Sequence, residues 1–289
     1  MTSVPSPARE EVMILTAQLS NARLGSKVPA RPSQRVFLAA SALLFTASAA
    51  LTIIWCGSMS SMGDMPMPGG WKMSMAWMRM PGQTWPEAAA SFLGMWIVMM
   101  VAMMLPSLVP MLQRYRQAVD STSEARIDRL TALVGIGYFF VWIVFGMAVF
   151  PLGAVLAHIE MSQPALARAV PIIAGALVLI AGLVQFTTWK AHHLAACREA
   201  LGCDRTLVAD AGLALRHGLY LGLKCSYCCF NLTMILLVVG FMDVRAMAVI
   251  TAAITAERLV PASHRVERVI GALAVGTSVF LIARAVGLG

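Results

Sequence analysis

Cys225, Cys228 and Cys229 stand close together in an otherwise apolar run. On a helix, their i, i+3 and i+4 spacing turns all three sulfurs toward roughly one face. Thiolates bind Cu(I) or Zn(II), and binding strips their protons. His217 lies upstream on the same predicted helix and is a further candidate ligand. A second set comes earlier: His193 and Cys197, an i, i+4 pair if helical, with Cys203 beyond. Mixed imidazole and thiolate donors suit zinc or copper. The same atoms allow two other readings. Cys225-x-x-Cys228 has the spacing of a thiol–disulfide relay, and three small side chains can simply pack a helix interface.

Methionine is the other source of sulfur. The chain holds 21, and fourteen of them fall between Met59 and Met111. Eight lie in a Gly-, Pro- and Ser-rich stretch at 57–87, among them Met62, Met65 and Met67. Thioether sulfur is soft and favours Cu(I), and spacings of two or three residues let several sulfurs reach one ion. A turn-rich loop is expected to offer these methionines no packed core. Trp71, Trp77 and Trp85 would also suit a belt at the lipid headgroups. Five more methionines follow in the next apolar run. Met95, Met99 and Met103 repeat at i, i+4 and i+8, with Met100 and Met104 in the adjacent stripe. A methionine stripe is ordinarily packing. Its density here, just after a methionine-rich loop, makes Met99, Met100, Met103 and Met104 candidate ligands. Pro106 is expected to kink this helix and open space.

These residues need elements to hold them. The chain has 289 residues, 59% hydrophobic and 12% charged, whereas soluble domains carry about 25% charged residues. So little charge cannot hydrate a globule of this size, and disorder requires the opposite composition. What remains is an all-α, polytopic transmembrane helix bundle. Apolar runs predict seven helices, at 36–56, 88–112, 131–157, 169–189, 218–241, 245–260 and 269–287. The run at 245–260 is short and ends in Glu257 and Arg258; if it is re-entrant, six spans remain. Glu257 is a candidate site residue, because a carboxylate at membrane depth is a functional signal by default. Its alternative is a place among the inner headgroups.

Sixteen basic residues fall in the N-terminal tail and alternate loops, and four in the opposite loops. The positive-inside rule then puts the N-terminus in the cytoplasm. The resulting division is a cytoplasmic tail at 1–35, with room for an amphipathic helix near Glu10–Leu24, and a transmembrane domain at 36–287. The methionine-rich loop at 57–87 would face the periplasm. The net charge of +8 reads as topology and not as nucleic-acid binding, because the basic residues are scattered among loops. This orientation also puts Met103, Met104, Cys225–Cys229 and Glu257 at similar depth.

The chain resembles a bacterial family of predicted metal-binding integral membrane proteins. The resemblance rests on Met95-Trp96 through Met99-Met100 to Met103-Met104-Leu105-Pro106-Ser107, and on Lys190…His193-Leu194…Cys197-Arg198. It continues in His217-Gly218…Cys225…Cys228-Cys229…Leu232…Met234, in Gly240-Phe241-Met242 and in Glu257-Arg258. Relatives carry Cys where His193 stands, Trp where Phe230 stands and Lys where Arg258 stands. The first exchange can preserve ligation. The resemblance implies metal binding and no particular reaction.

The leading expectation is a multi-pass inner-membrane protein handling Cu(I), by acquisition, transfer or storage. The outer methionines would collect the ion, the Met99–Met104 stripe would pass it, and the cysteines would receive it. Zinc is the second candidate metal. The expected partners are the lipid bilayer, the ion, and a metallochaperone or partner membrane protein. The alternative is a copper oxidase or oxygenase-type membrane metalloenzyme, or its assembly subunit. That needs open positions and histidine or carboxylate ligands, and the five histidines form no dense cluster in sequence. A primary pump is not expected, since no phosphate-binding P-loop is present.

Overall fold

The computed structural model describes residues 32–61, 65–68, 70–79, 82–119, 123–199, 208–260 and 263–287. The segment Glu10–Leu24, Met62 and Cys203 lie outside the described residues. The chain divides into two compact units, Met1–Ala40 and Ser41–Gly289. The first helix, α1 (Pro32–Ser61), begins in one and continues into the other. All that follows concerns the second unit.

After α1 come a two-stranded hairpin and seven further helices among the described residues. The helices are α2 (Trp85–Ala118), α3 (Glu124–Ser162), α4 (Pro164–Val184), α5 (Thr188–Glu199), α6 (Ala211–Val239), α7 (Val244–Leu259) and α8 (Ser263–Ala285). Six of these, α1, α2, α3, α4, α6 and α8, are long and apolar enough to cross a membrane. The helix expected as another span, α7, has 16 residues. At about 1.5 Å per residue it is near 24 Å long, short of a hydrocarbon core of about 30 Å. The described residues therefore give six candidate spans, the smaller of the two expected numbers, with α7 folded among them. The connection before α6, expected as a loop, contains α5.

The unit is apolar outside, and its apolar interior also encloses a set of polar and charged side chains. Ile136, Leu152, Ile180, Leu273 and Phe280 point outward, while Ser107, Gln185, Lys190, Asn231, Glu257 and Arg258 are buried. Soluble proteins rarely expose apolar surface on this scale. Ionisable groups turned into the bundle follow the rule for membrane interiors.

Helices α3 and α6 make the most extensive contact, followed by α4 with α8. The α3–α6 approach depends on glycine. A Cβ at Gly218 would stand 2.2 Å from the Val134 carbonyl oxygen, and one at Gly137 would stand 2.6 Å from that of Leu215. Small residues allow such backbone approach between apolar helices. Tyr138, next to Gly137, is thereby laid over Cys225.

Helix α2 starts with the Thr84 backbone N–H donating to the Glu87 carboxylate at 2.8 Å. It is assigned as one helix through Pro106 and Pro110. Ser107, after the first proline, is fully buried.

The methionine-rich loop overturns one expectation. Strands β1 (Met65–Pro66) and β2 (Lys72–Met73) pair antiparallel, with Met65 opposite Met73. A short 3-10 turn follows at Met75–Trp77. Met67 and Met73 are buried against Ala157 of α3 and Ala167 of α4, with Met65, Trp71, Trp77 and Met78 packed around them. Trp71 Nε1 donates to the Ala167 carbonyl at 2.8 Å. These methionines do have a core to fill, because two alanines leave room for long, flexible side chains.

Candidate metal centre

The three cysteines of α6 meet as their spacing requires. Their Sγ atoms all lie within 4.8 Å of one another. Cys225 and Cys229 are 3.7 Å apart, and Cys228 and Cys229 are 3.5 Å apart. A metal holding sulfurs at about 2.3 Å needs S···S separations of about 3.8 Å if tetrahedral and about 4.0 Å if trigonal. Two of the three pairs fit a soft ion with adjustments of a few tenths of an ångström, and the third lies within 4.8 Å.

A fourth cysteine arrives from α5. Cys197 is buried near Cys228 and Arg258. Its pKa is lowered, chiefly by Cys228 and then by the Arg258 charge, against the opposing effect of burial. Cys197 therefore stands near the α6 cluster.

Arg258 of α7 faces these sulfurs. Its Nη1 donates to Ser107 Oγ at 2.7 Å and to Cys225 Sγ at 3.3 Å, and lies 3.4 Å from the Tyr138 hydroxyl. Its Nη2 reaches Met111 Sδ at 2.6 Å. The Tyr138 hydroxyl donates to Cys225 Sγ at 2.9 Å. Elements α3 and α7 thus meet at the Cys225 sulfur of α6, and α2 joins them through Arg258.

Behind the cluster lies a buried ion pair. Lys190 Nζ is 2.8 Å from Glu257 Oε2, and neither side chain is more than 1% exposed. The ammonium also donates to the Cys228 carbonyl and to Asn231 Oδ1 at 3.3 Å, so all three of its donors are used. Burial, the largest single effect, lowers the Lys190 pKa, but Glu257, Cys229 and Cys228 together outweigh it and the net direction is up. Gln185 Nε2 donates to the other Glu257 oxygen at 2.7 Å. Arg198 donates to the carbonyls of Glu257 and Val260 at the end of α7, where positive charge suits the helix terminus. Glu257 is therefore interior and paired, not placed among headgroups.

The remaining sequence-nominated residues fall elsewhere. His193 stacks on Tyr227, with ring centroids 5.6 Å apart, and meets Trp189 edge-on. Its pKa is lowered by burial and then by His192 and Lys224. His217 stacks on Tyr115 at 5.5 Å, about 12 Å along α6 from Cys225 at 1.5 Å per residue. Met99, Met100, Met103 and Met104 are all buried along α2. Met65 and Met67 belong to the hairpin core.

Sequence reasoning passed over Arg258, Tyr138, Ser107, Met111, Lys190 and Asn231 as site residues. Signals existed for two of them. Lys190 continues a buried stripe with Leu194 and Cys197 at i, i+4 and i+7, and Met247, Ile250, Ile254 and Glu257 make a like stripe that ends beside Arg258.

An all-helical bundle, apolar outside and built around a buried sulfur cluster with a guanidinium counter-charge, defines a class of soft-metal-handling protein. Residues 93–281 match the PpoB2 family, described as copper chaperone. That is most of the chain, and this protein belongs to that family. No curated protein and no solved structure matches it.

Proposed function

We propose that this is a multi-pass inner-membrane protein that receives Cu(I) on Cys225, Cys228 and Cys229 and gives it up again to a partner. The observation that carries this reading is the convergence of three buried sulfurs, 3.5 and 3.7 Å apart, beside Arg258. Thiolates select soft ions, and a fixed positive charge offsets the negative charge that thiolates bring into a dry interior. Cys197 serves as the exchange ligand. Placed near Cys228 by a different helix, α5, it can take one coordination position as another is released, with no change of oxidation state. The Met99–Met104 stripe lines the approach along α2. Residues 1–35 form the cytoplasmic tail, 36–287 the membrane domain, and the 57–87 loop faces the periplasm. The partner is a metallochaperone or another membrane protein.

Copper and zinc measured together on the purified protein test this. We expect copper bound in excess of zinc, and loss of the tight copper when Cys225, Cys228 and Cys229 are all changed to Ser. Unchanged stoichiometry and affinity in that variant would sink the proposed site.

A further inference from the structure

We propose a second soft-metal site, built from thioethers alone, in the cleft shared by Met59, Met78 and Met95. The cleft has a volume of about 190 Å³, several times the space one ion needs. Met59 reaches it from the last turns of α1, Met78 from the segment after the 3-10 turn, and Met95 from α2. Trp55 and Phe92 form part of its wall. Three methionines from three separate elements cannot be one helix's packing stripe. Met78 also packs on the hairpin core beside Met65, whereas Met59 and Met95 stand outside that core.

The donor set decides the ligand. Among the described residues, no carboxylate, imidazole or thiol lines this cleft. Its polar lining residues, Gln83 and Ser91, are hydrogen-bonded to each other at 3.4 Å. Hard divalent ions need charged oxygen donors or several waters, and gain little here. A soft monovalent ion gains thioether coordination. Three neutral donors leave the ion's charge uncompensated, so binding is weaker and faster to exchange than at the cysteines. Met95 heads the buried run that continues at Met99 and Met103. The cleft therefore sits at the opposite end of that run from Ser107 and Met111, which touch Arg258. It would serve as the loading position for the same ion. The proposal shares its ion with the copper reading but none of its ligands.

The test is titration of the purified full-length protein with Cu(I) under reductant, against a competing chelator, with Ag(I) as a redox-silent check. Wild type is expected to bind a tight ion and a second ion at least tenfold weaker. Met59→Leu/Met78→Leu/Met95→Leu should lose the weak ion alone, since Leu keeps bulk and removes the donor. Cys225→Ser/Cys228→Ser/Cys229→Ser should keep the weak ion alone, with an X-ray absorption spectrum of sulfur-only coordination. Should the triple Leu variant misfold, Met78→Leu alone is expected to weaken the second ion about tenfold. A weak ion that survives the Leu substitutions, or one absent from wild type, overturns this site. A tight ion that survives the Ser substitutions overturns the cysteine site and leaves this one standing.

Discussion

Arg258 Nη1 stands 3.3 Å from Cys225 Sγ, tying the last turn of α7 to the middle of α6. The same guanidinium holds Ser107, Tyr138 and Met111. Removing one member of a buried charged network costs about 3–5 kcal/mol. Arg258→Ala is therefore expected to lower the melting temperature markedly and to weaken Cu(I) binding at the cysteines. Arg258→Lys keeps the charge and loses the planar fork, so it should fall between the two. Thermal melts in detergent and chelator competition read both effects. An Arg258→Ala variant with wild-type copper affinity would show that the charge is structural alone.

Cys229 lies between the other two sulfurs, at 3.7 and 3.5 Å. Cys197 lies outside that trio, near Cys228 and Arg258. Cys229→Ser should cost more than about 100-fold in Cu(I) affinity. Cys197→Ser should cost about 10–100-fold, the range for groups that support ligands. It should also slow release to a competing thiol, since the exchange ligand is gone. Stopped-flow transfer to a chelator separates the two effects. Equal losses would make Cys197 an ordinary ligand and remove its role in exchange.

Much of this site was legible before folding. The three cysteines of α6 share a face because 3.6 residues per turn demands it, and their apolar surroundings announced burial. Lys190 and Arg258 were counted as loop charges for orientation, yet both lie in the interior. A charge count has no term for a partner contributed by a distant helix. Lys190 and Glu257 are 67 residues apart in sequence. The 57–87 loop misled in the opposite direction. Its glycines and prolines read as an exposed turn, and only the tertiary neighbours Ala157 and Ala167 gave its methionines something to pack on. His193 and His217 have ligand chemistry and helical spacing, and the fold stacks their rings on Tyr227 and Tyr115.

The Lys190–Glu257 pair can be separated from the metal chemistry by a double-mutant cycle. Glu257→Leu leaves a buried ammonium without its counter-charge, a loss of about 3–5 kcal/mol. Lys190→Met leaves the carboxylate in the same position. Replacing both together, Lys190→Met/Glu257→Leu, should recover much of that stability, because a well-packed apolar pair often matches a buried ion pair. The double variant should still bind copper, though more weakly, since Lys190 also fixes the Cys228 carbonyl. Melting temperatures of the four proteins give the coupling. Additive losses would mean that the two charges do not depend on each other.

The α3–α6 contact makes a prediction far from any sulfur. A Cβ at Gly218 would stand 2.2 Å from the Val134 carbonyl oxygen, and a backbone atom cannot rotate aside. Gly218→Ala must push the helices apart, at a cost of about 1–3 kcal/mol for overpacking. Tyr138 lies on the α3 side of that seam and donates to Cys225 at 2.9 Å. Separation should lengthen this bond and weaken copper binding several-fold. Gly276 of α8 is the control, because a Cβ there meets nothing within 4 Å. Gly276→Ala should be neutral or stabilising, by up to about 1 kcal/mol from helix propensity. If Gly218→Ala melts like wild type, the two backbones are not in the contact described. If it is destabilised and still binds copper at full affinity, Tyr138 does not support the Cys225 thiolate, and Tyr138→Phe should then be silent as well.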